Sequence, residues 1–173
     1  MTVVIAVIAL VAALFLFAAT RPNTYQVQRT ATIKAPPDKV FAMVNDFHAW
    51  PGWSPWEKLD PMMKRTHTGP PSGPGAVYEW DGNKKAGAGR MEITSATPGS
   101  KVVIKLDFLK PFEGHNVTTF TLGTSGATTT VTWVMDGSAN FMLKVMGLFI
   151  SMDKMIGKDF EAGLANIKNL AER

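Results

Sequence analysis

The pattern of apolar and polar positions is clearest at the C-terminal end of the chain. Between residues 152 and 171, apolar residues recur every three or four positions, with lysine and glutamate between them. This spacing predicts a long amphipathic helix within residues 138–173, with Ser138 or Asn140 as its N-terminal cap. In residues 139–152, by contrast, only three of fourteen residues are polar. This first part of the helix is therefore expected to contact something other than water on more than one side.

Upstream of this helix, polarity alternates with the period of strands that have one buried face. Seven such stretches, separated by short turns rich in glycine, proline and asparagine, occur at about 25–34, 63–68, 76–80, 87–95, 102–108, 115–122 and 127–135. Helical spacing in residues 38–47 predicts one short helix, and the prolines within 48–58 restrict the next segment to short turns. Short connections favour antiparallel pairing. We expect an α+β domain in which a curved antiparallel sheet wraps the terminal helix.

The N-terminal segment, Val3–Ala19, contains no charged residue. As a helix it would extend about 26 Å at ~1.5 Å per residue, close to the ~30 Å hydrocarbon thickness of a bilayer. We predict a membrane anchor in residues 1–21 and a folded domain in residues 24–173. Basic residues follow the segment, beginning with Arg21, which favours a single-pass protein with its domain on the cytoplasmic side. A cleaved signal peptide and a secreted or periplasmic domain remain the alternative.

Charge and composition exclude several classes of function. The 18 basic and 14 acidic residues are scattered along the chain, so the net charge of +4 favours a solvated surface over a nucleic-acid interface. The chain has no cysteine, which excludes disulfides, thiolate metal sites and a cysteine nucleophile. The sequence also lacks HxH, HExxH and glycine-rich phosphate-binding motifs. We therefore expect no metal, no cofactor and no nucleic-acid partner.

Candidate catalytic residues are few. The three histidines, His48, His67 and His115, lie in separate predicted elements, so no catalytic residue is assigned to them. Strand alternation directs Tyr78 inward, which makes it the candidate for acid/base chemistry. The same alternation directs Glu79 and Glu92 outward.

Arg29 shares the inward face of the first strand. Its side chain is expected either to extend toward solvent at the end of the strand or to form a salt bridge with a carboxylate of the sheet; the alternative is a contact with the polar group of a ligand.

Three segments carry a resemblance to a known family: TIKAPPDKVFAMVNDFHAWPGWSPW (32–56), GAVYEWDGNKKAGAGRMEI (75–93) and MDKMIGKDFEAGLANIKNLAE (152–172). Together with the order of elements, they resemble the START-like, or SRPBCC, superfamily with its helix-grip fold, and more narrowly its bacterial polyketide cyclase/dehydrase-like members. The resemblance covers nearly all of the chain after residue 24. It implies a cavity between the sheet and the terminal helix.

The predicted lining of this cavity is aromatic and rich in methionine, a side chain that adapts to variable apolar ligands. The predicted residues are Trp53, Trp56, Tyr78, Trp80, Met91, Phe108, Phe120, Trp133, Met135, Met142, Met146, Met152, Met155, Ile156 and Phe160, with Arg29 and Tyr78 as polar contacts. We expect membrane-anchored binding or transport of a small hydrophobic ligand such as a lipid, quinone or polyketide. The alternatives are a polyketide cyclase or dehydratase, and a protein-interaction module with a vestigial pocket.

The apolar start of the terminal helix suggests an entrance to the cavity. Phe141, Met142, Val145, Met146, Leu148 and Phe149 are predicted to form the rim of a portal facing the membrane. The alternative is that these side chains are buried beneath the loop at residues 109–114.

Overall fold

The structure, a computed structural model, describes residues 2–173, with side chains from Val3 onward. Met1, the first residue of the predicted anchor, lies outside the described residues. The elements in chain order are α1 (Thr2–Ala19), β1 (Thr24–Ile33), α2 (Pro37–Asn45), β2 (Lys64–Thr68), β3 (Val77–Asp81), β4 (Ala88–Thr97), β5 (Lys101–Lys110), β6 (Gly114–Ser125), β7 (Thr128–Ser138), α3 (Phe141–Met146) and α4 (Met152–Ala171). Two 3₁₀ turns, Phe47–Gly52 and Pro55–Lys58, join α2 to β2.

The seven strands form one antiparallel sheet in the order β1-β7-β6-β5-β4-β3-β2. Strands β2 to β7 follow one another as a meander, and β1 pairs with β7 along its whole length, from Thr24 opposite Ser138 to Ile33 opposite Thr129. Register shifts in β4, between Ala88 and Gly89 and between Ile93 and Ser95, are the irregularities that bend a sheet. The predicted α+β helix-grip fold with a curved sheet is confirmed.

Helix α4 covers part of the inner face of this sheet with the apolar residues that recur at helical spacing. Phe160, Leu164 and Ile167 are all buried. The Phe160 ring stacks on Trp133 of β7, with ring centroids 3.9 Å apart and planes 9° apart. Two glycines permit the close approach: a Cβ at Gly163 would lie 2.9 Å from the Trp133 ring, and one at Gly157 would collide with the Arg29 guanidinium.

The prediction of one continuous terminal helix is wrong. Helix α3 ends at Met146, and α4 begins at Met152 with its own cap, because the Ser151 side chain accepts a hydrogen bond from the Lys154 amide. Asn140 caps α3 as predicted, accepting from the Leu143 amide at 2.9 Å, whereas Ser138 belongs to β7. Because most of 139–152 is apolar on all sides, its hydrophobic pattern contained no sign of the break between the two helices.

The apolar segment of α3 is not covered by the loop at residues 109–114. Phe141, Met142 and Phe149 are 51%, 59% and 73% exposed, and Phe112 of that loop is itself 61% exposed. Val145, Met146 and Leu148 are half-buried. The alternative of burial under the loop is therefore wrong for the three most exposed side chains.

Helix α1 carries the predicted anchor segment. It contacts α3, with the rings of Phe15 and Phe141 5.9 Å apart, and Ala18 is buried. Most of its other side chains are exposed, from Val3 at 76% to Phe17 at 54%. Among the helices that the structure describes, none has both the length and the apolar character needed to cross a membrane.

The contact between Gly157 and Arg29 generates a stability prediction. An alanine inside a helix is favoured over glycine by about 1 kcal/mol, but the new Cβ would displace Arg29 from its carboxylate partners. We expect Gly157→Ala to be neutral or destabilising in the natural chain and stabilising in an Arg29→Ala background. Urea unfolding of the four proteins in this double-mutant cycle measures the coupling.

Gly163→Ala is the matched control, because its Cβ meets the rigid Trp133 ring instead of an arginine. It should destabilise the protein equally in both backgrounds. If Gly157→Ala has the same effect with and without Arg29, the proposed conflict between the two side chains is wrong.

Candidate functional site

An internal cavity lies between α4, the two 3₁₀ turns and strands β3 to β7. Its volume is ≈ 130 Å³, and it is partly open to solvent. The residues that line it are Trp50, Ser54, Trp56, Glu57, Met63, Tyr78, Trp80, Ala86, Met91, Leu106, Phe108, Thr118, Trp133, Met135, Ile156 and Phe160. Most of these are aromatic or aliphatic, so the cavity is predominantly apolar.

Interlocking aromatic rings fix the shape of the cavity wall. Trp133 packs against Phe120, Trp53 and Trp56 at ring-centroid distances of 4.5, 5.7 and 5.8 Å. Its indole N–H donates a hydrogen bond to the Thr118 hydroxyl at 2.7 Å, and that hydroxyl donates to the Val134 carbonyl. Because both the rings and the polar atoms of this wall are committed to partners, the wall is preorganised rather than free to collapse.

One end of the cavity is polar and is built around Glu57. Its Oε1 atom accepts a hydrogen bond from the Tyr78 hydroxyl at 2.5 Å, and its Oε2 atom accepts from Arg65 Nε at 2.7 Å. The Glu57 side chain is only 6% exposed, so the adjacent guanidinium provides the charge compensation that a buried carboxylate needs. Glu57 and Tyr78 both line the cavity.

The electrostatic environment of Tyr78 keeps its hydroxyl protonated. Burial raises the pKa of Tyr78 well above its ordinary value of 10.0, and the hydrogen bond to Glu57 raises it further. The pKa of Arg65 is also raised, first by its hydrogen bond to Glu57. At neutral pH this end of the cavity therefore contains a neutral phenol beside a carboxylate that is paired with an arginine.

Local sequence explains how Glu57 reaches the cavity. Pro55 occupies the first position of the second 3₁₀ turn, where its fixed φ is compatible with the helical backbone. This turn places Trp56 and Glu57 next to each other on the cavity wall. Arg65 of β2 holds the turn against the sheet, because its Nη2 also donates to the Glu57 carbonyl at 3.2 Å.

Ser54 adds a second polar group to the cavity. It is 2% exposed, it precedes the same 3₁₀ turn, and its side chain makes no capping hydrogen bond. The Glu57 amide donates to the Ser54 carbonyl at 3.3 Å, which places the two residues one turn apart. Among the described residues, the Ser54 hydroxyl lines the cavity and makes no capping hydrogen bond, so it is available to a molecule bound there.

Nine of the predicted lining residues surround this cavity: Trp56, Tyr78, Trp80, Met91, Phe108, Trp133, Met135, Ile156 and Phe160. Six lie elsewhere. Trp53 and Phe120 are buried in the core behind the wall, and Met142 and Met155 are 59% and 49% exposed. Met146 and Met152 are half-buried and do not line the cavity. Met142 and Met146 lie on α3 because the terminal helix is interrupted, whereas Met152 and Met155 lie on α4 but outside the cavity wall.

Sequence reasoning missed the polar residues Ser54, Glu57 and Thr118. The signal available for Glu57 was weak: a carboxylate within a segment containing three tryptophans and two prolines. Its partners, Arg65 and Tyr78, are 8 and 21 residues away. Nothing in the strand pattern indicates that these side chains meet.

Arg29 joins the sheet to α4. Its Nη1 lies 2.8 Å from Asp153 Oδ1, and its Nε lies 2.6 Å from Glu161 Oε1. The hydrogen bond from Arg29 lowers the pKa of Asp153. The predicted salt bridge to a carboxylate of the sheet is wrong in its partner, because both carboxylates belong to α4. Arg29 is also not among the residues that line the cavity.

Two of the three histidines meet although they belong to separate elements. The rings of His48 and His67 stack with centroids 4.3 Å apart, and His48 Nδ1 lies 2.8 Å from Asp46 Oδ1. Burial lowers the pKa of His67, and the neighbouring His48 lowers it further. Within residues 2–173, no group of three or more His, Asp or Glu side chains is arranged to hold a metal ion.

The curved sheet, the covering helix and the apolar cavity between them define a helix-grip protein. The family model described as "Polyketide cyclase / dehydrase and lipid transport" matches residues 24–172. The chain belongs to this polyketide cyclase/dehydrase family. No curated protein matches it.

Solved structures with the same fold are distant in sequence. A protein from Chromobacterium violaceum is 17% identical with a TM-score of 0.61, over 88% of this chain and 99% of that one. The Aha1 dimer from Colwellia psychrerythraea is 16% identical with a TM-score of 0.56, over 86% and 96%. The di-domain ARO/CYC BexL from the BE-7585A biosynthetic pathway is 18% identical with a TM-score of 0.64, over 91% and 53%. At these identities the similarity establishes the fold alone.

The histidine pair predicts a pH dependence of stability. Because the pKa of His67 is lowered on folding from about 6.5, the unfolded chain binds more protons than the folded chain as the pH falls below 6.5. The stabilisation is therefore present above that pH and is lost at lower pH. We expect urea midpoints to fall more between pH 8 and pH 5.5 for the natural chain than for His67→Gln.

Thr66→Gln, at the neighbouring position of β2, is the control, because it introduces the same side chain without removing a titrating group. It should show the same decrease as the natural chain. An equal decrease for His67→Gln would contradict the assignment to His67.

Proposed function

We propose that this protein binds a small apolar molecule in the cavity between α4 and the sheet. The observation that carries the proposal is the cavity itself, ≈ 130 Å³ with a wall of tryptophan, methionine and phenylalanine side chains. Protein interiors are normally close-packed, and an engineered apolar cavity of about 150 Å³ is known to bind benzene. Membership of a family whose description includes lipid transport supports the same function.

The size of the cavity restricts the ligand. Pockets for drug-sized molecules have volumes of about 300–1,000 Å³, well above the ≈ 130 Å³ here. In this conformation the cavity accommodates one ring or a short chain. A complete lipid, quinone or polyketide would require the wall to open, and Ile156 in the second turn of α4 is close to the break between the two terminal helices.

The cyclase or dehydratase alternative has less support. Its candidate acid/base, Tyr78, lies in the cavity, but its raised pKa disfavours proton loss at neutral pH, and its hydroxyl proton is already donated to Glu57. The likeness to BexL extends to the fold and does not add a catalytic residue. Retention of turnover by Tyr78→Phe, if any turnover is found, would exclude Tyr78 from the reaction.

We further propose that the protein associates with a membrane through α1 and α3. Apolar surface is unfavourable in water by roughly 25 cal/mol per Å², and large exposed apolar patches usually mark an interaction site. Leu10 and Leu16 of α1 are 64% and 70% exposed, and Phe149 and Ile150, after α3, are 73% and 51% exposed. A lipid surface would cover both groups of side chains because the helices contact each other. The cytoplasmic location of the domain stays a prediction.

The exposed side chains of α3 support an entrance to the cavity from the membrane. The five residues 147–151 connect α3 to α4, whose second turn contributes Ile156 to the cavity wall. A ligand that dissolves in lipid would reach the cavity through this region without crossing water. This portal proposal depends on membrane association.

Filling the cavity tests ligand binding. Ala86→Leu adds a branched side chain at the cavity wall, so we expect it to weaken toluene binding at least about tenfold without loss of stability. Ala127→Leu, in the exposed β6–β7 turn, is the matched control and should bind as the natural chain does. Toluene titrations followed by tryptophan fluorescence, with native mass spectrometry of the purified protein for a retained ligand, give the result. Absence of toluene binding by the natural chain would refute the proposal.

Liposome flotation tests membrane association. We expect the full chain to float with phosphatidylglycerol-containing vesicles, deletion of residues 1–20 to weaken flotation, and Met146→Asp or Phe149→Asp to weaken it further, because a charge opposes insertion into lipid. Met62→Asp is the control, since Met62 is a 90% exposed methionine outside these helices. Equal flotation of all variants, or none by the full chain, would contradict the proposal.

A further inference from the structure

We propose that the cavity selects ligands that carry a hydrogen-bond-donating hydroxyl on a single ring, in preference to rings that carry only carbonyl, ether or carboxylate oxygens. This inference rests on the proposed ligand-binding function and adds the chemical class of the ligand. It follows from which hydrogen-bonding positions at the polar end of the cavity are already used.

The Glu57–Tyr78 pair presents acceptors to the cavity. An ionised carboxylate has no donor, and each of its oxygens can accept more than one hydrogen bond. The Tyr78 hydroxyl has one hydrogen to donate, and it donates it in the hydrogen bond to Glu57 Oε1. The phenolic oxygen can then act only as an acceptor toward a ligand. Both side chains therefore complement a ligand group that donates.

Arg65 does not reverse this polarity. Its Nε donates to Glu57 Oε2, its Nη1 to the Met63 carbonyl at 2.8 Å, and its Nη2 to the Glu57 carbonyl. It is close enough to the Tyr78 hydroxyl to lower the Tyr78 pKa, against the larger effect of burial, but it is not among the residues that line the cavity. A ligand carbonyl placed here would meet the carboxylate rather than the guanidinium that balances it.

The indole donors around the cavity are also largely committed. Trp50 Nε1 donates to the Val44 carbonyl, Trp80 Nε1 to the Ala86 carbonyl and Trp133 Nε1 to Thr118 Oγ1. Among the described cavity-lining residues, the Trp56 indole and the Ser54 hydroxyl, which makes no capping hydrogen bond, are the donors left for a ligand. Ser54 can both donate and accept, so it complements a hydroxyl, which has the same capacity.

The remaining dimensions fit a phenol-sized molecule. A volume of ≈ 130 Å³ is close to the ~150 Å³ that holds benzene, and aromatic side chains offer surfaces on which a ring packs. A simple phenol has a pKa near ~10, as tyrosine has, and is neutral at pH 7. It would place its ring against the apolar wall, and its hydroxyl would donate a hydrogen bond to the Glu57–Tyr78 pair. A benzoate of similar size would place a second negative charge beside Glu57.

Phenol, benzaldehyde and toluene have similar size but carry a hydroxyl donor, a carbonyl acceptor and no polar group, respectively. Comparing them therefore separates hydrogen-bond donation from apolar packing. Titrations of the full-length protein at pH 7, followed by tryptophan fluorescence and calorimetry, give the dissociation constants. We expect phenol to bind at least about tenfold more tightly than benzaldehyde. We expect Glu57→Gln, which introduces a donor in place of an acceptor, to bring that ratio close to one.

Glu79→Gln is the matched control, because it makes the same chemical change on an exposed carboxylate of β3 and should leave the ratio unchanged. Tyr78→Phe provides a second test should Glu57→Gln fail to fold. It removes the hydroxyl that occupies Glu57 Oε1, so the preference for phenol should be retained or increased.

The outcomes separate the two proposals. If toluene and phenol bind but benzaldehyde binds as tightly as phenol, or if Glu57→Gln leaves the ratio unchanged, the donor selectivity is wrong and ligand binding stands. A loss of preference in Tyr78→Phe would show that the carboxylate does not accept from the ligand, and would overturn the assignment of the selectivity to Glu57. If none of the three compounds binds, both proposals fail.

Discussion

The packing of α4 on the sheet depends on the contact between Phe160 and Trp133. Two large rings 3.9 Å apart and nearly parallel replace solvent on both the helix and the strand, and Gly163 allows the helix backbone to approach them. Trp133 then touches Trp53, Trp56 and Phe120, so one residue connects α4, the second 3₁₀ turn with the residues before it, and β6. These contacts fix the distance between helix and sheet, and that distance sets the depth of the cavity.

The cavity exists because α4 covers only part of the inner face of the sheet. Its most extensive packing is against β1, at one edge, while Tyr78, Met91 and Leu106 lie on strands nearer the opposite edge. The two 3₁₀ turns cover that part with large but few side chains. Since the prolines in this segment prevent a regular helix, the turns do not fill the space as completely as a packed helix would. The remaining volume is bounded by the buried, charge-compensated carboxylate of Glu57.

The periodic features of the chain were predictable, and the features that depend on irregular backbone were not. Alternation identified seven strands and the inward direction of Tyr78, and helical spacing identified the buried face of α4, because both signals arise from a regular side-chain period. The break at 147–151 lay in a segment with little polarity contrast. The meeting of Glu57 with Arg65 and Tyr78 depends on the path of two short turns, which no periodicity describes. Arg29 was placed on the correct face, but its partners required the register of α4 against β1.

The exposed apolar helices and the internal cavity are physically connected in the proposed arrangement. Helix α3 lies between α1, which it contacts through Phe141 and Phe15, and α4, to which residues 147–151 join it. A lipid surface that lowers the free energy of exposed Phe149 and Ile150 would act on this connection, while Arg29 holds Asp153 and Glu161 of α4 to β1. The start of α4 is thus held to β1 by the ion pairs of Arg29. It is also joined to residues 147–151, whose exposed apolar side chains favour contact with lipid. Movement of that segment would change access at Ile156 without disturbing the Phe160–Trp133 contact, because Phe160 lies a full turn further along the helix.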